Sequence, residues 1–179
     1  MRSRFLLTLA AAAGLLLAVG APLASADGAR HATASFIDAT GAPVGWARLV
    51  EDARGVIHVN VHVEGLTPGL HGLHIHAVGA CSPTFAAAGP HFNPESHQHG
   101  LDNPDGPHAG DLPNLIVNGE GIGHLDATTD RVTLGGGVDS LFDADGSALI
   151  IHANEDDQVT NATNGNSGAR IACAVVERD

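Results

Sequence analysis

The chain contains no lysine. Its 179 residues carry eight basic side chains, all of them arginine, against 20 acidic ones, a formal charge of −12 at neutral pH. Arg2 and Arg4 account for two of the eight, so from residue 27 onward the balance is 6 − 20 = −14. A surface of that sign repels phosphate backbones and anionic lipid, which argues against nucleic acid or a charged membrane as a partner. Cysteine is almost as scarce, with only Cys81 and Cys173 present. No sulfur-rich metal cluster can be built from two residues, and no cysteine follows the small residues near position 26 to carry a lipid anchor. Sustained helical periodicity, internal repeats and linker-like stretches are all missing, which leaves a single non-helical domain.

One long apolar run does occur. After Met1-Arg2-Ser3-Arg4 the chain is almost wholly apolar from Phe5 to Val19, and it continues to Ala24-Ser25-Ala26. A basic start, a run of that length and small residues at the −3 and −1 positions describe a secretory signal peptide. The run is short for a membrane span and no basic stop-transfer cluster follows it. The expectation is a signal peptide over 1–26, cleaved after Ala26, and one domain over 27–179. That domain is exported, released or kept in the cell envelope or a periplasm-like space, with no membrane insertion. Export opens the way to a disulfide between Cys81 and Cys173; two separate buried thiols are the alternative.

Short β-like stretches separated by turn residues fill the domain. From Val56 to Val63 the alternation is strict, with Ile57, Val59, Val61 and Val63 on one face and His58, Asn60 and His62 on the other. Period two with one apolar face reads as a half-buried strand. Further strands are predicted over 32–37, 44–50, 70–77, 115–117, 121–125, 132–134, 148–152 and 171–176. Many short strands with frequent turns argue for an antiparallel sandwich or barrel. Two long segments, 78–113 and 153–169, are rich in Gly, Pro, Asn, Asp and His; loops of that length in a compact domain are usually functional or disordered.

Twelve histidines are present, and their arrangement matters more than their number. His74 and His76 are two apart on a predicted strand, so both leave the same face. His91, His99, His108 and Asp111 follow in the long loop; three imidazoles and a carboxylate make a closed set that suits a structural zinc ion. His152, at a strand end, can join His74 and His76, and a set of four imidazoles favours Cu(II). The two sets share His91 if each of its ring nitrogens meets one ion. His97 lies close enough to His99 to replace it. His31, His58, His62, His97 and His124 read as exposed, without a functional partner.

The residues His71-Gly72-Leu73-His74-Ile75-His76, Gly89-Pro90-His91-Phe92-Asn93-Pro94, His108-Ala109-Gly110-Asp111 and Gly168-Ala169-Arg170-Ile171-Ala172-Cys173 resemble the signatures of copper–zinc superoxide dismutases. They occur in family order, and the similarity covers nearly all of the domain. The resemblance implies an all-β fold, an eight-stranded antiparallel Greek-key barrel or sandwich with two long functional loops. It implies one copper on His74, His76, His91 and His152, and one zinc on His91, His99, His108 and Asp111. It places Arg170 as the active-site arginine and Asp156 as the carboxylate joining a copper histidine to a zinc histidine, with Asp157 as its rival. His71 matches a position with a structural role near the copper. The implied reaction is dismutation of superoxide to dioxygen and hydrogen peroxide, with His91 handling the proton. The alternative is an exported copper- or zinc-binding protein on the same fold without turnover. The loop between His152 and Arg170 is shorter than in many relatives and carries Glu155, Asp156 and Asp157. It has Asn164, beside Thr163, where longer-looped relatives narrow the channel with Thr. The sequence leaves the oligomeric state open.

Overall fold

In the computed structural model, residues 30–179 are described; the expected signal peptide over 1–26 lies outside the described residues. Among the described residues there are ten strands: β1 (Arg30–Asp38), β2 (Pro43–Glu51), β3 (Ile57–Val63), β4 (Gly69–His71), β5 (Leu73–His76), β6 (Leu115–Val117), β7 (Gly123–Thr129), β8 (Ala148–His152), β9 (Arg170–Val175) and β10 (Glu177–Arg178). They form one sheet in the order β4-β6-β7-β3-β2-β1-β9-β8-β5, with β10 beside β1, and every strand pair is antiparallel. The two ends of that order, β4 and β5, are consecutive in the chain with only Gly72 between them. The sheet therefore curls until its ends meet, a nearly closed barrel that leaves little free edge.

Alternation builds the interior. On β3, Ile57, Val59, Val61 and Val63 are buried while His58 faces out. Phe36, Leu49, Leu73, Ile75, Leu115, Leu149 and Ile151 join them in one cluster. Each large side chain removed from water there contributes about 1.5–3 kcal/mol before ordering costs.

Two strand predictions need correction. The stretch 70–77 is interrupted at Gly72, because there the chain leaves β6 and turns to β8: Gly72 N–H donates to Asn154 O at 2.8 Å and Gly72 O accepts from His152 N–H at 2.8 Å. Residues 132–134 are apolar and alternate, with Val132 and Leu134 buried, yet form only an isolated bridge, Thr133 to Ser140. The buried carboxylate of Glu51 takes their donors instead, Thr133 Oγ1–H at 2.8 Å and Leu134 N–H at 2.9 Å. Counting β4 and β5 as one interrupted strand and setting aside the two-residue β10 returns the eight expected strands.

The disulfide links Cys81 and Cys173, 92 positions apart, and ties the first long loop to β9. Among the described residues no helix is long and apolar enough to cross a membrane.

Candidate metal centre

All four residues of β5 are buried. Leu73 and Ile75 point into the barrel, so by alternation His74 and His76 point outward, beneath the two long loops. The first loop docks by backbone pairing: Ile75 N–H donates to Gly110 O at 2.8 Å, and Phe92 N–H to Ile75 O at 2.9 Å. Isolated bridges set His76 beside His91 and His74 beside Asp111. Position 110 must be glycine, since a Cβ there would stand 2.3 Å from Ile75 O. From the other side β8 pairs with β5, Leu73 opposite Ile151, and a register irregularity between Ile151 and His152 precedes the fourth histidine.

The hydrogen bonds single out one nitrogen on each ring. His74 Nε2 lies 2.6 Å from Asp156 Oδ2, His76 Nδ1 lies 2.9 Å from Gly89 O, and His152 Nδ1 lies 3.0 Å from Gly168 O. His91 Nδ1 lies 3.0 Å from Asp111 Oδ1. A carbonyl or carboxylate fixes the proton on the nitrogen it touches, which leaves the other nitrogen a lone pair. Those other nitrogens, His74 Nδ1, His76 Nε2, His91 Nε2 and His152 Nε2, are buried and have no hydrogen-bond partner. A ligand atom from each of these four residues lies within 4.8 Å of the rest. Buried polar atoms without partners are costly and rare in native proteins. Four converging on one point mark a place for a cation.

A second cluster lies next to it. Asp111 Oδ2 accepts Gly100 N–H at 2.9 Å and His108 N–H at 3.0 Å. Its Oδ1 is thereby turned to three rings, 3.0 Å from His91 Nδ1, 3.0 Å from His99 Nδ1 and 3.3 Å from His108 Nδ1. His108 Nδ1 and His91 Nδ1 are 3.3 Å apart. A tetrahedral ion with bonds of ~2.0–2.1 Å has ligand–ligand edges of about 3.3 Å, and these four separations already match that spacing. The grouping whose ligand atoms all lie within 4.8 Å of one another here is His74, His91, His99 and Asp111, with His74 in place of His108. His74 has only Nδ1 to offer, because Asp156 holds its Nε2, and Nδ1 is one of the four orphaned nitrogens of the neighbouring cluster. His108 therefore completes this set.

Asp156 joins the clusters. It is buried, and it meets His99 Nε2 at 3.0 Å as well as His74. Asn114 clamps its backbone, with Nδ2 donating to Asp156 O at 2.8 Å and Oδ1 accepting Asp156 N–H at 2.9 Å. Gly165 (φ 67°) closes over it, and a Cβ there would collide with its Oδ1 and crowd His99 Nε2 at 2.8 Å. Asp157 is exposed and turns the loop by accepting Val159 and Thr160 N–H groups. The rivalry between the two aspartates resolves to Asp156 at the histidines.

Burial sets the charge states. It pushes the His74 pKa down to about 3, His76 to about 2 and His152 to about 4, so the three rings are neutral and able to ligate. Burial also lowers His99, but hydrogen bonds to Asp111 and Asp156 outweigh it and raise that group to about 9. Burial alone would raise Asp111; hydrogen bonds from His108, His91 and His99 hold it far below the usual carboxylate range.

Arg170 opens β9 beside the four-histidine cluster. Its Nη1 donates to Phe85 O at 2.6 Å and its Nη2 to Gly89 O at 2.7 Å, and Gly89 O also receives His76 Nδ1–H. The guanidinium is thus braced by the segment that Cys81 anchors. A cavity of about 530 Å³ touches Arg170 but none of the histidines, so it is separate from the cluster. His71 holds the His152 carbonyl through Nδ1 at 2.7 Å, a structural contact. His97 is exposed, its Nε2 3.7 Å from Glu95, and stands apart from the buried His99. Asn164 sits in the left-handed conformation (φ 47°) that ends a 3₁₀ turn; the Thr163 side chain lies outside the described residues. Residues that pattern reading missed include Asn114, Gly165 and Arg131, whose Nη2 donates to Asp111 O at 2.6 Å.

A family model described as copper/zinc superoxide dismutase matches residues 44–176, which contain every residue of both clusters. The chain belongs to the copper/zinc superoxide dismutase family. It is 41% identical over 167 residues to copper–zinc superoxide dismutase 2 of Aquifex aeolicus, spanning 92% of this chain and 95% of that one. The copper–zinc superoxide dismutase of Caulobacter vibrioides is 38% identical over 176 residues, 96% of this chain and 100% of its own. A crystal structure of a superoxide dismutase-like protein from Bacillus subtilis superposes with a TM-score of 0.75 at 38% identity, covering 80% of this chain and 96% of that one. Membership in this family accords with clusters whose donors suit copper and zinc, and with a disulfide of the kind that persists outside the cytoplasm.

Proposed function

We propose that this protein is a superoxide dismutase, with copper held by His74, His76, His91 and His152 and zinc by His91, His99, His108 and Asp111. One observation carries the assignment: four buried ring nitrogens without partners converge beside three rings and a carboxylate, and His91 turns one nitrogen to each group. When bound, copper supplies the one-electron couple that one superoxide reduces and a second reoxidises, while zinc supplies a fixed positive charge. Two superoxide anions and two protons give one dioxygen and one hydrogen peroxide.

His91 is suited to the proton. Its Nδ1 stays held in the Asp111 cluster while Nε2 takes a proton and surrenders it to the departing peroxide. Burial lowers the His91 pKa, against the opposing pull of Asp111, which makes the protonated ring a willing donor. Asp156 orients His74 and His99 together, so the clusters keep one mutual geometry. Arg170 spends two of its donors on Phe85 O and Gly89 O and keeps the rest, with its full charge, for a small anion. His71 fixes the backbone under His152.

Export follows from the same reading, with residues 1–26 removed as a signal peptide near Ala26 and 27–179 acting in the envelope or released from the cell. Superoxide consumption by protein loaded with both metals is the test. Catalytic removal with dioxygen and peroxide as products is the expected result. Two bound metals without turnover would leave the metal-carrier alternative standing.

A further inference from the structure

The outer face of the barrel holds a second histidine device, far simpler than the buried one. His62 on β3 and His124 on β7 are directly opposed in the ladder. Their Nδ1 atoms stand 3.3 Å apart. The ring centroids are 4.6 Å apart, little more than the nitrogens themselves, so the rings lean over one another and do not meet end on. Glu64, next but one along the chain, accepts from His62 Nε2 at 3.1 Å. A neutral ring with its proton on that nitrogen presents Nδ1 as a lone pair. In the absence of an ion His124 Nδ1–H donates to it.

We propose that His62 and His124 form a surface site for one divalent first-row transition ion, Cu(II) by preference, with Glu64 orienting His62 and water completing the coordination. Two nitrogens 3.3 Å apart are close enough for both to reach one ion at ~2.0–2.1 Å, and small rotations of the exposed rings set the angle that the ion requires. Imidazole pairs suit Zn, Ni and Cu, and the order of divalent affinities puts Cu(II) first. The Glu64–His62 contact repeats what Asp156 does for His74: a carboxylate on the far nitrogen fixes the tautomer and raises basicity. On binding, the His124 proton moves from Nδ1 to Nε2 and both Nδ1 lone pairs turn to the ion. No net charge other than the ion's is added.

Trp46 is the only tryptophan in the chain. It pairs with His62 across β2 and β3, with ring centroids 5.9 Å apart, so a paramagnetic ion on the pair quenches its fluorescence. The experiment titrates Cu(II) into protein whose buried copper and zinc sites are already filled, and follows Trp46 emission and bound copper together. Saturable quenching with about one additional copper per chain is the expected result. His124→Ala should weaken that binding by at least ~tenfold and Glu64→Gln by about tenfold, with superoxide turnover unchanged in both as evidence that they fold. His58→Ala, on the same face, should bind as the parent does. Absence of saturable quenching in the parent, or equal affinity in His124→Ala, overturns the site. An unaltered Glu64→Gln overturns the orienting role of the carboxylate.

Discussion

Replacing Cys81 by Ser opens the Cys81–Cys173 bridge without touching any histidine. The bridge closes a loop of 92 positions, and cross-linking a loop of that size removes denatured-state entropy worth up to ~4.7 kcal/mol. Over a domain of about 150 residues each kcal/mol moves the melting temperature by roughly 2–4 °C, so Cys81→Ser should lower it by about 10–18 °C. Local structure softens the functional effect. Ala77 N–H to Pro90 O at 2.9 Å, Val78 N–H to Ala88 O at 3.0 Å and Gly79 N–H to Asp145 O at 2.8 Å still hold the start of the loop to the barrel, so His91 and both metals should stay in place. Phe85 O, which takes Arg170 Nη1–H, lies between Cys81 and the held Ala88, in the segment released, so one of the two braces on Arg170 loosens and turnover should fall severalfold at full metal content. Thermal unfolding and turnover of metal-loaded parent and variant are the assays. A melting temperature lowered by less than about 3 °C would refute the entropic account, and unchanged turnover would refute the bracing of Arg170 by this loop.

Metal-stripped protein should lose stability on both sides of neutrality. His74, His76 and His152 have folded pKa values of about 3, 2 and 4 against about 6.5 unfolded. Below pH ~6.5 the unfolded chain therefore binds more protons, and stability falls as pH drops, by up to ~1.4 kcal/mol per pH unit for each ring. His99, raised to about 9, contributes stability that is complete below pH ~6.5 and lost as pH rises through 9. A flat melting temperature from pH 6.5 to 5 in metal-free protein would contradict this. Arg170→Ala should cut the second-order rate at least ~tenfold with both metals retained, as rate and metal analysis on one sample will show. With 6 − 20 = −14 on residues 27–179, rising ionic strength should leave the parent rate flat or slightly higher; a steep fall would mean that attraction by Arg170 dominates the repulsive field.

The strands were legible where side chains alternate without competition, as on β3. Pattern reading went wrong where a buried polar group took over backbone donors, as Glu51 does for Thr133 and Leu134. It went wrong again where one run of residues serves two ladder partners, as at Gly72. Both histidine clusters were readable because their motifs stand in family order. Spacing also favoured Asp156 over Asp157, but the causes, Asn114 and Gly165, come from other turns of the loops and carry no local signal. The meeting of His62 and His124 depends on the register between β3 and β7, which are separated by three intervening strands; no pattern in either segment reveals it.

A two-ion centre joined through His91 is tested by metal analysis of three proteins matured with copper and zinc both available. Loosely held copper, including any on the outer histidine pair, is removed first by mild chelation. The parent should retain about one copper and one zinc per chain. His152→Ala should lose copper and keep zinc, because His152 meets only the four-histidine cluster; His91→Ala should impair both, because it alone serves each. Zinc alone in the parent, or equal zinc content in the two variants, would contradict the account.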